Sequence, residues 1–557
     1  MQPDYQHLKF PYQRPADFGH KPPMRVPVVV VGAGPVGLAA AIDLARRGIR
    51  VVVLDDDDSL SVGSRALCYA KRTLEIFDRL GCGDAVVNKG VSWNVGKVFY
   101  RDEPVYSFNL LPEPGHRRPA FVNLQQYYLE GYLYEAAQRL ELLEIRWKNR
   151  VINVSQNADH AEITIETPDG EYALTADYVI AADGARSPVR SYFGLESKGR
   201  VFRDRFLIAD VKMKAPFPAE RWFWFDPPFH PNQSVLLHRE ADDVWRIDFQ
   251  LGWDADPEQE KKSENVIPRV RALLGENVDF DLEWVSVYTF ACMRMEKFRH
   301  GRVLFAGDAA HGVSPFGARG ANSGVQDADN LCWKLALVLQ GAASDKLLDT
   351  YGEERELAAD ENILNSTRST DFITPKNHAS HIFRDAVLSL AKEHPFARRL
   401  VNSGRLSLPS TYHASSLNTA DSEIFDSAMC PGAPASDAPI LHALGQHDWF
   451  VQLLGDEFSV VVFTDHYQTT DVFDMSDISD VTVWQVLPPE AGNQATFDKH
   501  QRVIIDREGL LAKRYDAQSG TTYLFRPDQH VAARWREFNK KTIQTALHKA
   551  SLQEVTT

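Results

Sequence analysis

The apolar stretch at residues 26–42 limits, more than any other feature, what this chain can fold into. Its 17 residues are at the lower limit for crossing a bilayer, which takes roughly 17–25 residues. Pro27, Gly32 and Gly37 interrupt the stretch, and Asp43 ends it. We therefore interpret it as two short elements of a globular domain, and we expect no membrane association.

A strand, a helix and a second strand are predicted across this region. The β-branched run 28–31 is typical of a strand buried on both faces of a parallel sheet. From Pro35 the apolar residues change to helical spacing, and Gly48 marks the end of that helix. The apolar run 51–54 predicts the next buried strand. This order of elements favours a Rossmann-like α/β fold.

The turn between the first strand and the helix carries Gly32-x-Gly34-x-x-Gly37. The first glycine permits the tight turn, the second lets a pyrophosphate approach the backbone, and the third lets helix and strand pack closely. Pro35 begins the helix, whose N-terminal N–H groups and positive dipole end would face the phosphates. Asp55 ends the second strand and would accept hydrogen bonds from a ribose diol. The unit predicts a dinucleotide site; the alternative is a glycine-rich turn without a ligand.

Length and charge limit the classes of function. The 557 residues correspond to roughly three to four domains of about 150 residues each. A formal net charge of −15, with no dense block of Lys or Arg, argues against a nucleic-acid partner. The five cysteines are scattered, with no CxxC pair and no histidines at zinc-ligand spacing. This pattern predicts a reducing, cytoplasmic compartment and no metal site.

Two further segments each end a predicted buried strand in a glycine-containing turn. The strand at 178–182 ends in Asp183-Gly184. Another ends in Gly307-Asp308 and leads into a loop with several glycines, whose backbone could come very close to a planar ligand. An amphipathic helix follows that loop.

The three motifs, GxGxxG, then DG, then GD, together resemble those of the class A flavoprotein monooxygenases. These are the single-component aromatic hydroxylases, which include phenol and 3-(3-hydroxyphenyl)propionate hydroxylases. The resemblance implies a non-covalently bound FAD, with Asp308 at its ribityl chain. The backbone N–H groups of Gly320, Ala321 and Asn322 would face the flavin ring, and Pro315 would lie beside the ring on the substrate side.

The resemblance also assigns residues outside that loop. Asp183 and Gly184 would belong to an element used for both FAD and NAD(P)H. Arg65 would meet the FAD pyrophosphate, Gln126 would lie near the ribityl chain, and Val151 joins the implied cofactor contacts. The alternatives are that Arg65 caps a helix and that Gln126 lies on a solvated helix face.

Between the DG and GD motifs the pattern changes to the alternation of antiparallel strands. These predicted strands lie at 222–225, 234–237 and 244–251. By the resemblance they belong to a substrate-binding sheet under the flavin, with Arg246 pairing with a substrate carboxylate and His238 taking the phenol proton. Tyr288 and Pro315 complete the implied catalytic set. The alternatives are that Arg246 lies on the outer, solvated face of its strand and that His238 is structural.

From Cys430 onward the chain again alternates strands and helices, similar to the thioredoxin-like C-terminal domain of the larger hydroxylases. The CxxC of thioredoxins is absent, so we assign no disulfide chemistry to it. The predicted division of the chain is an N-terminal extension (1–25), an FAD-binding domain (26–200 and 290–375) with a substrate-domain insertion near 91–119, a substrate-binding β-sheet domain (201–289), a helical connector (376–428) and a thioredoxin-like domain (429–557).

The implied reaction is hydroxylation of a phenolic compound, ortho or para to its hydroxyl, with NAD(P)H and O2 through a flavin C4a-hydroperoxide. One alternative is hydroxylation or epoxidation of a larger polycyclic aromatic substrate. The other is a non-catalytic flavin-binding protein. By the same resemblance we expect a homodimer.

Overall fold

The structure is a computed structural model that describes residues 5–61, 66–215, 217–401, 406–442, 449–468, 470–475, 478, 481–493 and 502–552. Strands and α-helices are numbered in chain order. The helices are α1 (Pro35–Arg46), α2 (Lys71–Arg79), α3 (Gly83–Lys89), α4 (Gln126–Ala137), α5 (Pro188–Tyr192), α6 (Pro257–Glu260), α7 (Ser263–Leu274), α8 (Gly320–Leu339), α9 (Asp349–Ile373), α10 (His378–Ala391), α11 (Pro395–Arg398), α12 (Leu510–Arg514) and α13 (Lys540–Ser551).

A mainly parallel sheet is built on the N-terminal strand–helix–strand unit. Its strands are β1 (Met24–Val31), β2 (Val51–Leu54), β8 (Leu143–Arg146), β9 (Arg150–Gln156), β10 (Ala161–Thr167), β11 (Gly170–Ala181), β17 (Arg299–His300) and β18 (Val303–Phe305). They run in the order β17-β18-β11-β1-β2-β8, with β10 pairing β11 and β9 pairing β10. Because β1, β11 and β18 are parallel neighbours, their carboxyl ends meet at one edge. The GxGxxG, DG and GD motifs therefore lie side by side.

A second, mostly antiparallel sheet lies across from this edge. Its strands are β5 (Val95–Tyr100), β6 (Glu103–Asn109), β12 (Ser197–Lys212), β13 (Arg221–Phe225), β14 (Ser234–Arg239), β15 (Val244–Leu251), β16 (Asp281–Met295) and β19 (His311–Gly312), in the order β19-β16-β12-β15-β14-β13-β5-β6. On one face, Trp245, Ile247 and Phe249 of β15 share a core with Val266 and Val270 of α7. The opposite face is turned toward the loop that precedes α8.

The remaining strands form a small sheet and a C-terminal mixed sheet. The small sheet contains β3 (Cys68–Ala70), β4 (Val91–Trp93) and β7 (Phe121–Asn123). The C-terminal sheet contains β20 (Ile440–His442), β21 (Phe458–Phe463), β22 (Val481–Leu487), β23 (Val503–Asp506), β24 (Thr522–Phe525) and β25 (Val531–Trp535), in the order β20-β23-β22-β21-β24-β25. In it, β21, β22 and β23 are parallel, whereas β24 and β25 are antiparallel.

The C-terminal sheet is fixed to the first sheet's helices by buried charges. Arg526 donates to both carboxylate oxygens of Glu354 on α9, at 2.5 and 2.9 Å. Lys334 of α8 donates to the same carboxylate at 2.7 Å. Arg72 of α2 donates to the carbonyl of Asp528 at 2.7 Å. These contacts make the C-terminal part a packed component of the molecule rather than a tethered one.

The predicted fold class is confirmed: a parallel Rossmann-like sheet, an antiparallel sheet and a C-terminal mixed sheet. The helix predicted from Pro35 begins there and ends at Arg46, just before Gly48 with φ +81°. The strand predicted at 222–225 begins one residue earlier, at Arg221. The thioredoxin-like interpretation and the domain boundaries stay predictions. Among the described helices, none is both long enough and apolar enough to span a membrane.

Candidate functional site

The glycines of the first turn fill the roles that their spacing predicts. Gly32 has φ +105°, and a Cβ there would lie 2.5 Å from the carbonyl oxygen of Ala182. A Cβ on Gly37 would lie 1.9 Å from the carbonyl oxygen of Gly32. By contrast, a Cβ on Gly34 would have no heavy atom within 4 Å. The first and third glycines thus permit close packing, and the second borders open space at the N-terminus of α1.

Asp55 ties the end of β2 to this turn. Its Oδ2 accepts a hydrogen bond from the backbone N–H of Ala33 at 2.6 Å, and its Oδ1 accepts one from Asp57 at 2.9 Å. Burial raises the pKa of the Asp55 carboxyl, although these two hydrogen bonds oppose the shift. Its position beside the glycine turn is the one predicted for a ribose-binding carboxylate.

A carboxylate on α8 fixes the GD loop through hydrogen bonds. Asp327 Oδ2 accepts from the backbone N–H of Gly307 at 2.9 Å and from His311 Nε2 at 2.7 Å. Its Oδ1 accepts from Arg355 Nε at 2.6 Å. The next residue in the loop, Asp308, is exposed at the sheet edge. No role was predicted for Asp327 or Arg355, because both lie outside the three motifs along the sequence.

The loop before α8 places its predicted residues on the open side. Pro315 is exposed, whereas Phe316 is buried and packs on Phe206 of the second sheet, with ring centroids 4.6 Å apart. Gly320, Ala321 and Asn322 begin α8, whose N-terminus has no side-chain cap. Free N–H groups at a helix N-terminus suit an electron-rich ligand edge.

Asn322 joins this helix end to the small sheet. Its Nδ2 donates to the carbonyl of Cys68 at 2.8 Å, and its Oδ1 accepts from the N–H of Ala70 at 2.8 Å. The α8 N-terminus and β3 therefore form one rigid corner.

Gln126 lies in a hydrogen-bonded cluster and not on a solvated face, so that alternative is wrong. Its Oε1 accepts from the N–H of Ala66 at 2.9 Å, and its Nε2 donates to Ser61 Oγ and to Glu130 Oε1 at 2.9 and 2.7 Å. The cluster joins Ser61 and Ala66 to α4; Arg65 lies outside the described residues.

The remaining predicted cofactor residues lie in two different places. Asp183 and Gly184 follow β11, beside the glycine turn, and Asp183 Oδ2 accepts from the N–H of Val189 at 3.0 Å. Its Oδ1 has no hydrogen-bond partner in the described structure. Val151 is on β9, with its side chain in the core and its carbonyl accepting from the Tyr192 hydroxyl at 3.0 Å. The structure thus brings Asp183 to the motif edge and leaves the Val151 side chain in the core.

One row of side chains crosses the inner face of the second sheet. The strand register places His238 opposite Arg246, Arg246 opposite Asp210, and Asp210 opposite Trp284. Trp222 pairs with Leu237 in the antiparallel register, so the preceding residue, Arg221, lies opposite His238 and continues the row. The row reads Arg221, His238, Arg246, Asp210 and Trp284, and its first four members are buried.

Arg246 is on the inner face, so the alternative of a solvated position is wrong. However, its guanidinium group already has a carboxylate partner: Nε and Nη2 donate to the two oxygens of Asp210 at 2.7 and 2.8 Å. Glu240 Oε1 lies 3.3 Å from Nε. The bidentate geometry expected for a substrate carboxylate is therefore occupied by a carboxylate of the protein, because Asp210 stands directly opposite on β12.

His238 is buried, and neither ring nitrogen has a hydrogen-bond partner in the described structure. Burial, reinforced by the charges of Arg221 and Arg246, holds the pKa of the His238 ring well below its ordinary value. The ring is therefore neutral at neutral pH. Tyr288, the other predicted catalytic residue of this sheet, is half-buried on β16, opposite Phe206.

Two carboxyls beside this row were missed by sequence reasoning. Asp248 is buried two residues after Arg246 on the same face, and burial raises its pKa to about 6. Burial and the Asp210 charge raise the pKa of Glu240 well above its ordinary value. For Asp248 the available signal was its place in the alternation of β15, on the same face as Arg246; Glu240 follows the end of β14 and carried no such signal.

Two cavities border the sheet. One of about 330 Å³ lies at its edge, lined by Trp93, Pro218 and Glu220 among others. Another of about 470 Å³ includes Trp222 and Trp224, whose side chains are on the outer face, away from the polar row. The first cavity is thus the one that adjoins the strand end carrying Arg221.

A family model described as "FAD binding domain" matches residues 25–366. The chain belongs to this family. A 3-(3-hydroxy-phenyl)propionate/3-hydroxycinnamic acid hydroxylase of Mycolicibacterium smegmatis is 28% identical over 534 residues, covering 92% of this chain and 90% of the relative. A flavin-dependent monooxygenase of Mycobacteroides abscessus is 32% identical over 349 residues, covering 59% of this chain and 70% of the relative.

Membership in the FAD-binding family agrees with the fold. The crystal structure of the flavin-dependent monooxygenase PieE, in complex with FAD and substrate, superposes with a TM-score of 0.79 at 22% identity, covering 95% of this chain and 100% of that one. The protein is a flavin-dependent monooxygenase of the aromatic hydroxylase family and binds FAD. The predicted cofactor is confirmed, and the alternative of a non-catalytic flavin-binding protein is wrong.

The residues at the motif edge fit FAD. Gly34 leaves room against the backbone where a pyrophosphate would lie, and the N-termini of α1 and α8 both lack a side-chain cap. The Asp183 Oδ1 atom is buried without a partner and would gain one from a cofactor hydroxyl. The donors and acceptors at this edge thus match the phosphates, ribityl hydroxyls and ring of the cofactor.

Proposed function

We propose that the protein hydroxylates a phenolic aromatic compound, ortho or para to the existing hydroxyl, with NAD(P)H and O2 as co-substrates. The observation that carries the proposal is the buried polar row on the inner sheet face, opposite the loop of Pro315. A neutral, unpartnered histidine in that row is suited to a phenolic hydroxyl. The name of the Mycolicibacterium smegmatis relative, a hydroxylase of hydroxyphenyl acids, supports a phenol as substrate.

In this proposal the motif edge holds FAD. Gly32, Gly34, Pro35 and Gly37 cradle the pyrophosphate together with Arg65. Asp55 binds the adenosine ribose, while Asp183, Gly184, Asp308 and Gln126 serve the ribityl side, and Gly320, Ala321 and Asn322 serve the ring. Bound FAD supplies the redox chemistry, accepting a hydride from NAD(P)H and activating dioxygen.

The chain's own residues orient and activate the phenol. His238 accepts a hydrogen bond from the phenolic hydroxyl, and the adjacent arginine charges disfavour protonation of the ring while favouring the phenolate. A more electron-rich ring is a better nucleophile toward activated oxygen. Pro315 borders the reacting space, and Phe206 with Phe316 helps to exclude water from it.

Turnover by the purified holoenzyme tests the proposal. NADH and NADPH oxidation should accelerate with some members of a panel of simple, carboxylated and fused-ring phenols, with a hydroxylated product formed and little peroxide. A fused-ring phenol as the sole productive substrate would favour the polycyclic alternative. A panel in which no phenol accelerates oxidation would overturn the phenol assignment.

We further propose that the chain acts as a cytoplasmic homodimer. The odd number and wide spacing of the five cysteines support a reducing compartment. Analytical ultracentrifugation tests the dimer, and sedimentation at the monomer mass of 62.8 kDa would contradict it.

A further inference from the structure

Arg221 is a buried cation that no carboxylate of the described residues contacts directly. Its side chain begins β13, and the residue is 4% exposed. Its Nη1 lies 3.5 Å from the thiol sulfur of Cys68, its Cζ lies 5.4 Å from the ring centroid of Phe223, and its Nε has no hydrogen-bond partner. In the described part of the chain, no carboxylate oxygen lies within 4 Å of this guanidinium.

Three other buried arginines are paired with carboxylates. Arg246, Arg355 and Arg526 each donate to a carboxylate, at 2.7, 2.6 and 2.5 Å respectively. A buried charge is unfavourable unless an opposite charge and hydrogen bonds compensate it. Arg221 thus differs from these three in having no carboxylate in direct contact within the described residues; Asp248, whose pKa the Arg221 charge lowers, acts on it from beyond 4 Å.

The position of Arg221 is at the candidate active site. The guanidinium of Arg221 contacts the thiol of Cys68, and the backbone carbonyl of Cys68 accepts a hydrogen bond from Asn322 at the N-terminus of α8. Along the sheet, its neighbour in the row is His238. The guanidinium therefore lies between the histidine proposed to bind the phenol and the corner proposed to hold the flavin ring.

We propose that Arg221, and not Arg246, binds an anionic oxygen group of the aromatic substrate. The inference rests on the proposed function and names the substrate class more closely: an aromatic carboxylate or a phenol bound as its phenolate. Arg246 donates to both carboxylate oxygens of Asp210, so its charge is compensated within the protein. Arg221 offers a planar fork whose geometry suits a carboxylate, and one of its N–H arms suits a phenolate.

Ligand titration of the holoenzyme, followed by the change in flavin absorbance, tests this without turnover. The probes are 3-hydroxybenzoate, which carries a carboxylate, 4-nitrophenol, which ionises at its hydroxyl, and 3-hydroxybenzamide, which is neutral. Arg221→Met should weaken binding of the anionic probes by about tenfold to a hundredfold, as expected for a lost hydrogen bond to a charged group. Binding of the amide should stay within a small factor of the wild-type value.

The pattern across probes identifies the anion. A loss confined to 3-hydroxybenzoate assigns Arg221 to a carboxylate, and a loss confined to 4-nitrophenol assigns it to the phenolate. An equal loss for the amide, or no loss for any probe, would overturn the proposal. Arg239→Met is the matched control, because Arg239 is on the same sheet but half-exposed and paired with Asp243; it should leave all three affinities unchanged.

Stability separates binding from a structural role. Because Arg221→Met removes a buried charge that no carboxylate in the described residues contacts directly, the ligand-free variant should melt no lower than the wild type. A clear fall in melting temperature with unchanged relative affinities would show a structural residue instead. If the methionine variant is insoluble, Arg221→Lys retains the charge without the fork and should still bind 3-hydroxybenzoate several-fold more weakly; wild-type affinity would overturn the proposal. If the probes bind as expected but the holoenzyme hydroxylates no phenol, the proposed function fails while the role of Arg221 in anion binding stands.

Discussion

Replacing Asp327 with asparagine tests how the GD loop is held for the cofactor. The Asp327 carboxylate is fully buried and accepts hydrogen bonds from Gly307, His311 and Arg355. Burial would raise its pKa, but the charges of His311 and Arg355 and the hydrogen bonds hold that pKa below its ordinary value. A depressed pKa stabilises the fold above the unfolded pKa of an aspartate, so the contribution is complete at neutral pH and is lost only as the pH falls toward the folded value.

The expected size follows from these contacts. An asparagine amide cannot accept at both of its ends, so either the Gly307 and His311 donors or the Arg355 guanidinium lose their acceptor. Removing one partner of a buried ion pair costs about 3–5 kcal/mol of folding stability. Because Gly307 precedes Asp308 at the cofactor edge, we expect FAD affinity to fall by about 1.5–3 kcal/mol, roughly tenfold to 150-fold.

The assay compares two variants of α8. FAD binding to apoprotein is measured by fluorescence titration, and thermal unfolding is recorded for the same samples. Asp329→Asn is the matched control, because Asp329 is two residues further on the same helix, is buried, and pairs with Arg72 and Arg79. Both variants should lose stability, but only Asp327→Asn should lose FAD affinity. Equal losses of FAD affinity in the two variants would refute the reasoning.

Other substitutions separate packing, electrostatics and ligand binding. Arg526→Met should lower the free energy of unfolding by about 3–5 kcal/mol. Arg526 and Lys334 hold the pKa of Glu354 below its ordinary value against burial, so without Arg526 this pKa rises and the carboxyl of the variant takes up a proton in mildly acidic buffer. The loss measured by urea unfolding should therefore shrink as the pH falls, and a pH-independent loss would contradict this. Gly32→Ala places a Cβ 2.5 Å from a carbonyl oxygen at φ +105° and should destabilise the fold, whereas Gly34→Ala should fold normally and bind FAD more weakly; normal FAD affinity in the second variant would be the contrary result. Burial raises the pKa of Asp248 to about 6, so binding of 3-hydroxybenzoate should tighten as the pH falls through 6 and the Asp248 carboxyl loses its negative charge. The Asp248→Asn variant should show no such pH dependence. A wild-type affinity that does not change with pH would count against the polar row as the binding site.

The elements that local patterns specify were predictable from the sequence. The β1–α1–β2 unit depends on a β-branched run, a glycine turn and helical spacing, all within about 30 residues. The start of α1 and both ends of β2 agree with the prediction, whereas β1 begins earlier than predicted, at Met24. The alternation of β15 likewise placed Arg246 and Asp248 on one face and Trp245 on the other. Each of these signals is contained in a single element.

The pairing of charges was not predictable in the same way. Arg246 and Arg221 are both arginines on inner-facing strand positions, and the sequence favoured Arg246. What distinguishes them is Asp210, which lies 36 residues from Arg246 along the chain and opposite it only in the folded sheet. The contact of Arg72 with the segment at Asp528 spans 456 residues. Such contacts follow from tertiary packing, for which a single sequence carries no local signal.

Oxygen transfer to the substrate tests the central claim most directly. The holoenzyme is supplied with NAD(P)H, the phenol that most accelerates its oxidation, and 18O2, and the product is analysed by mass spectrometry. Incorporation of one 18O atom into the ring, ortho or para to the hydroxyl, is the predicted result. Consumption of NAD(P)H with only peroxide formed, or with product oxygen derived from water, would contradict a flavin-dependent phenol hydroxylase.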